Sequence, residues 1–193
     1  MTMSARVPAT EITGLYGGVL KVAMRKMLGQ VPESAGVMWH HPQVFKDMMG
    51  AGRKTEKWDK VDPNLAAYTV MATAAHIGCN ACLDLNYFMA HHRGLDERKA
   101  REVPRWRESE VFTAVERRAM EYAEAVSETP PAATDEMVSA LLDDLGAPAL
   151  VELTARIGFM NLASRTNIAL GIKAEGFADA CGLEPLARPS VVS

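Results

Sequence analysis

Between Leu65 and His92 the chain carries one formally charged side chain, Asp84. A stretch that long and that apolar must be covered almost all round, by the rest of its own fold or by other subunits. Small side chains (Ala66, Ala67, Ala72, Ala74, Ala75) recur along it, as close helix packing requires, and Gly78 and Gly94 punctuate it. The expectation is a pair of buried helices at the centre of the molecule, with an oligomer contact there.

The rest of the chain repeats the helical period. Alternating runs rich in Val, Ile and Thr, bounded by hairpin turns, are nearly absent. In 109–127, Val111, Val115, Ala119, Ala123 and Val126 fall three or four apart, with Ser109 as the expected N-cap. In 134–145, Thr134 caps, Asp135 and Glu136 occupy the first turn where the helix dipole favours them, and Gly146 stops the helix. From Ala147 to about Ile172 one long stripe runs through Leu150, Leu153, Ile157, Met160, Ser164 and Ile168. Residues 10–28 and 43–51 are also helical in spacing, separated by a turn at Val31–Ser34 and by His41-Pro42, read as a helix start. Asp62-Pro63 opens the next helix. The expected architecture is all-α, with seven or eight helices in one domain over 1–193. Residues 1–33 form a helical extension and 186–193 a loose tail.

Charge and cysteine usage narrow the function classes. Net charge is −3 with the signs intermixed, so no basic stripe for nucleic acid or an anionic membrane is visible. No run reaches the roughly 20 apolar residues of a membrane span, and the first residues lack a secretory pattern, so a cytoplasmic location is expected. Three cysteines are too few for a disulfide framework. Cys181 stands alone and is assigned no role. Cys79 and Cys82 form a C-x-x-C, which in a reducing compartment reads as redox or metal chemistry before it reads as a staple.

Spacing of three places two cysteines on one helix face, close enough to bond if the first lies at the helix N-terminus, and Gly78 upstream favours that placement. There the unpaired N–H groups and the dipole favour a thiolate, the form that attacks a peroxide or a disulfide. Three readings stay open: a redox pair, favoured; a zinc site drawing on Cys79, Cys82, His91 and His92; and two buried cysteines acting as small hydrophobes. Adjacent histidines on a helix point about 100° apart, which weakens the second. Leu83 after Cys82 excludes a c-type haem attachment. His76, one turn before Cys79, is the candidate base, since histidine titrates near neutrality. Asp84 is read as stabilising the first turn of its own helix, and Tyr87 as packing. His91 and His92 are read as surface or interface residues.

From His41-Pro42 through DPNLAAYTVMATAAHIGCNACLDLNYFMAHHRGLDERKAREV to ELTARIGFMNLASRTNIALGI, the sequence resembles the carboxymuconolactone decarboxylase and alkylhydroperoxidase D (AhpD-like) family. Gly78, Cys79, Cys82 and Gly94 match its pattern, as do Glu152-Leu153 and the Asn161-to-Arg165 signature. The resemblance implies an AhpD-like helical domain with the C-x-x-C at the start of a central buried helix. It also implies a homo-oligomer of dimers or trimers and peroxidase activity through the cysteine pair. Two positions depart from the pattern. The family's glutamate falls at Ala67 and its later histidine at Asn86, and in AhpD-like peroxidases those side chains belong to a proton relay. Alanine carries no proton, and asparagine hydrogen-bonds without titrating.

The functional expectation is a thiol-dependent oxidoreductase acting through Cys79 and Cys82, with His76 as substitute base and with weak peroxide turnover. Its partners are a peroxide or small organic substrate and a thiol reductant; no metal or organic cofactor is implied. Two alternatives remain: a lyase on a small organic acid, with Arg165 as the carboxylate-binding cation or in a structural pair with Glu152, and a non-catalytic helical oligomer.

Overall fold

The computed structural model describes residues 5–189, and among them there is no strand. Ten α-helices follow in order: α1 (Gly14–Leu28), α2 (Glu33–Met38), α3 (Pro42–Thr55), α4 (Pro63–Ile77), α5 (Asn80–His92), α6 (Glu97–Glu102), α7 (Ala114–Ser127), α8 (Asp135–Leu145), α9 (Ala147–Leu170) and α10 (Phe177–Ala180). A single 3-10 turn, Val103–Arg105, continues α6. No helix among the described residues is long and apolar enough to cross a membrane.

Helix α4 is the axis of the molecule, packed by α5, α7 and α9. Most of its apolar surface is thus covered within one chain, with Ala67, Val70, Ala75 and Ile77 partly exposed. Tyr68, Met71 and Ala74 on it are fully buried, or nearly so, and each large side chain so covered contributes about 1.5–3 kcal/mol. Its two buried hydroxyls turn back on the helix, Thr69 donating to the Leu65 carbonyl at 2.7 Å and Thr73 to that of Thr69 at 2.9 Å. That self-bonding gives each hydroxyl an acceptor, so these polar residues lie in an apolar interior without an unsatisfied group. One core cluster joins α4 to α5, α6 and Trp106; a second joins it to α7, α8 and α9. Helices α1 to α3 gather around their own cluster of Ile12, Leu20, Trp39 and Phe45.

Caps fix most of the boundaries. Asp62 Oδ1 accepts from the Asn64 and Leu65 N–H groups at the start of α4. His41 Nδ1 accepts from Val44 N–H at the start of α3, and Thr134 and Gly146 bound α8 as expected. Other expectations are corrected. The cap of α7 is Thr113, not Ser109: Thr113 and Glu116 form a reciprocal capping box, while the Ser109 carbonyl accepts from Arg117. The expected turn at Val31–Ser34 gives way at Glu33 to α2, and the 43–51 helix extends to Thr55.

Both ends of the described chain are tied down. The Arg6 guanidinium donates to the carbonyls of Ile168 and Ala169 at the open end of α9, and its N–H to that of Leu170. Gly171 makes this approach possible: its φ is +72°, and a Cβ there would lie 2.9 Å from Arg6 N. At the other end, the start of the expected loose tail is held. Ala187 N–H donates to the Arg101 carbonyl at 3.0 Å, and Arg101 Nε to that of Pro185 at 2.9 Å. Residues 190–193 of that tail lie outside the described residues.

Candidate functional site

Helix α4 ends at Gly78, whose φ of +83° is open to glycine, and the Cys79 N–H closes the turn on the Ala74 carbonyl at 2.9 Å. The chain therefore passes from α4 to α5 with one residue as pivot. Cys79 is the N-cap of α5, its sulfur accepting from the Cys82 N–H at 3.2 Å. The two Cα atoms are 5.3 Å apart and the sulfurs are bonded as a disulfide. The placement expected from Gly78 and the three-residue spacing is the one observed. Both residues are buried, Cys79 at 2 % exposure and Cys82 at 4 %.

Among the described residues, one polar side chain reaches this pair from outside its own helix, and the sequence reading missed it. Asn167, in the last turn of α9, places its amide Nδ2 3.3 Å from the Cys82 sulfur. A disulfide sulfur carries no hydrogen, so the amide nitrogen is the donor. The available signal was the α9 stripe, which continues from Ser164 to Asn167; the expected member, Ile168, is 38 % exposed.

The other candidates are directed elsewhere. The Nε2 of His76 lies 3.0 Å from Glu128 Oε1, a carboxylate just past the end of α7. Asp84 does not serve its own helix: its two oxygens accept from the Phe177 and Ala178 N–H groups at 3.0 and 3.1 Å, at the start of α10. Tyr87 is packed as expected, and its hydroxyl donates to the Glu184 carbonyl at 3.1 Å. Burial raises its pKa and keeps the phenol neutral. Asn86 donates to the Cys82 carbonyl at 2.8 Å, so at the family's histidine position stands a helix-bonded amide. The four zinc candidates are not gathered: the cysteines bond each other, His91 pairs with Glu97 and His92 lies against Phe88.

The Glu152 and Asn161-to-Arg165 signatures resolve into two structural clamps. Buried Glu152 accepts from the Lys60 N–H at 2.7 Å and from Arg156 Nε at 2.9 Å, fastening α9 to the loop before α4. Arg165 does not pair with Glu152. It donates to the Ser127 carbonyl at 2.7 Å and to Thr129 Oγ1 at 3.2 Å, beside Asn161, whose Nδ2 donates to Ser127 Oγ at 2.9 Å. A guanidinium so engaged holds the end of α7 and, next to it, Glu128. These bonds take the Nε and Nη2 of Arg165, the residue considered for carboxylate binding.

A surface depression of about 390 Å³ runs beside one face of α5, lined by Asn80, Leu83, Asp84 and Tyr87 and closed by residues 184–189. It begins next to Cys79 without including either sulfur.

Comparison with known proteins places this geometry. The Carboxymuconolactone decarboxylase family profile matches residues 42–125. An Escherichia coli (strain K12) protein, the uncharacterized protein YnjA, is 37 % identical over 128 residues, which make up 66 % of this chain and 70 % of that one. Among solved structures, the debrominase Bmp8, as a cysteine variant in complex with 2,3,4-tribromopyrrole, superposes with a TM-score of 0.78 at 18 % identity. That match covers 93 % of this chain and 96 % of Bmp8. The alkylhydroperoxidase AhpD core of a peroxidase-related protein from Ralstonia eutropha JMP134 gives 0.78 at 17 % identity, covering 92 % and 97 %. At such identities the structures share a fold with this chain, the AhpD-like all-α fold.

Proposed function

Because the chain belongs to the carboxymuconolactone decarboxylase family, we propose that it is a thiol-dependent oxidoreductase that cycles Cys79 and Cys82 between dithiol and disulfide. The observation that carries this reading is the pairing of the two sulfurs at the first turn of α5, each with an N–H donor: Cys82 N–H on Cys79, Asn167 on Cys82. Donors so placed stabilise the thiolate that the chemistry needs. Three residues apart on one short turn, the thiols can also find each other without rearrangement of the fold.

The acceptor in this proposal is a hydroperoxide. One thiolate attacks an oxygen of the peroxide; the S–O bond forms, the O–O bond breaks, and the alcohol leaves with a proton. The second thiol displaces that oxygen as water, forming the S–S bond. A cellular thiol reductant returns two electrons and two protons by exchange through a mixed disulfide. His76, the expected base, is turned to Glu128, and in this proposal it reaches the reacting proton through the same local opening that admits the substrate. The low exposure of both sulfurs fits slow turnover, since a substrate reaches them after local opening.

The test is hydroperoxide consumption by the reduced protein, with Cys79→Ser and Cys82→Ser alongside. Turnover is expected in the wild type and lost in both variants; equal rates in all three remove the reading. A parallel arm uses the compound held in the complex of the structural relative, 2,3,4-tribromopyrrole. Thiol-dependent bromide release without hydroperoxide turnover would keep the dithiol cycle and replace its acceptor by a carbon–halogen bond.

A further inference from the structure

Asn167 stands apart from everything the family pattern led the sequence reading to single out. It lies on α9, 85 residues beyond Cys82, and its amide is aimed at a sulfur atom in the interior. Resting on the dithiol reading above, we propose that Asn167 is a catalytic residue of this protein: its N–H stabilises the Cys82 thiolate of the reduced form and so sets how readily that thiol ionises.

The argument begins with what surrounds the sulfur. Cys82 is 4 % exposed, and burial among apolar neighbours disfavours a thiolate. The backbone donor at the helix start is already given to Cys79. An ionised Cys82 therefore needs a donor from elsewhere, and Asn167 supplies it.

Charged groups on the surrounding elements have other partners. On α4, His76 pairs with Glu128 of the α7 end, and Asp62 caps its own helix. On α5, Asp84 holds α10, and His91 pairs with Glu97 of α6. Of the other α6 charges, Lys99 pairs with Glu116, Arg101 with Glu184 and Glu102 with Arg105, while Arg98 is exposed. On α9, Arg165 holds Ser127 and Thr129, and the guanidinium of Arg6 lies on the carbonyls of Ile168 and Ala169. On α10, Asp179 is exposed. The group in contact with the sulfur is thus a neutral amide that does not titrate, and its effect on Cys82 has the same sign at every pH.

A carboxamide suits both redox states. It donates weakly to the disulfide sulfur and strongly to a thiolate, because a bond to an ionised acceptor is about twice as strong as a neutral one. The contact is therefore worth more when the protein is reduced and Cys82 ionised. The same backbone turn that carries the amide is held by its own carbonyl, Asn167 O accepting from Ile172 N–H at 2.9 Å. The donor is consequently presented from a fixed helix end.

The test titrates one thiol at a time in the full-length reduced chain carrying Cys181→Ser, which removes the exposed third thiol, by ultraviolet thiolate absorbance and by the pH dependence of alkylation. In Cys79→Ser, whose serine keeps an N-cap oxygen, Asn167→Leu is expected to raise the Cys82 midpoint by about one pH unit or more, a tenfold fall in thiolate fraction below the midpoint. Asn167→Asp, nearly the same shape with a carboxylate, is expected to raise it further. In Cys82→Ser the same replacements should leave the Cys79 midpoint in place. An unmoved Cys82 midpoint in Asn167→Asp overturns the proposal, as does an equal shift of both cysteines, which would mark loosened packing. Should Asn167→Leu fail to fold, Asn167→Asp decides alone. The titration uses no oxidant, so the peroxidase reading can fail while this result stands, and the reverse.

Discussion

Asp84, in the second turn of α5, accepts the backbone N–H of Phe177 at 3.0 Å across 93 positions of sequence. With the Ala178 N–H on its other oxygen, this one carboxylate caps α10 from the helix that bears the cysteines. The segment after α10 then lies along α5, with Glu184 accepting from Tyr87. Asp84→Ala is expected to cost about 1 kcal/mol, as loss of an N-cap does, and to speed amide exchange between 177 and 189 more than elsewhere. Exchange measured by mass spectrometry checks it. A uniform rise over the whole chain would show that Asp84 supports the global fold instead.

Ser164 is fully buried, and its hydroxyl is without a hydrogen-bond partner among the described residues. A hydroxyl sealed in this way costs about 1–3 kcal/mol relative to one that is bonded. Ser164→Ala removes the polar atom and one heavy atom of volume, so a gain of about 1 kcal/mol is expected, seen as a higher urea midpoint at unchanged slope. A lower midpoint would mean that the hydroxyl is bonded in the folded protein.

How much of this was legible follows from where the information lies. Asp62-Pro63, Thr134 with Asp135, and Gly78 before Cys79 are local chemistry, and all three boundaries stand where the residues put them. Thr113 was equally local, signalled by Glu116 three residues on, but the apolar spacing runs past the cap to Val111 and drew the boundary to Ser109. The exchange of Ile168 for Asn167 has another cause. From Ser164, steps of three and of four both keep the helical period, falling about 60° short of and about 40° past a full turn, so the spacing alone does not choose between them; the packing of α9 against α5 turns Asn167 inward. Asp84 and Arg165 were beyond reach, since their partners come from distant helix ends whose docking no local pattern encodes.

Glu116 links acid stability to the cap of α7. Burial by itself would raise its carboxyl; the Lys99 ammonium at 2.8 Å and the Thr113 N–H at 2.7 Å outweigh it and hold the pKa below the ordinary 4.5. A carboxyl lowered on folding contributes stability that is complete above its unfolded value and disappears as pH falls through the folded one. Glu116→Gln is therefore expected to be less stable than the wild type by roughly 1–2 kcal/mol at neutral pH. That difference should close on acidification below about pH 4.5. Denaturation midpoints at several pH values give the curve. A gap that persists unchanged into acid would assign the loss to packing and not to charge.

His76 separates a structural role from a chemical one. Its bond to Glu128 joins the end of α4 to the end of α7, with side chains 28 % and 51 % exposed, and pairs that open to solvent contribute at most about 1 kcal/mol. His76→Gln retains a hydrogen-bonding side chain of similar reach, so stability should fall by less than that. If the imidazole handles the proton that leaves with the alcohol, the hydroperoxide rate falls far more, by about a hundredfold for a positioned acid–base group. Rapid oxidation of the reduced dithiol, followed in Cys79 and Cys82 by trapping of free thiols, isolates that step from reduction. A rate within a factor of two of the wild type would leave His76 as a tie between two helix ends. The proton would then come from water admitted when the first turn of α5 opens.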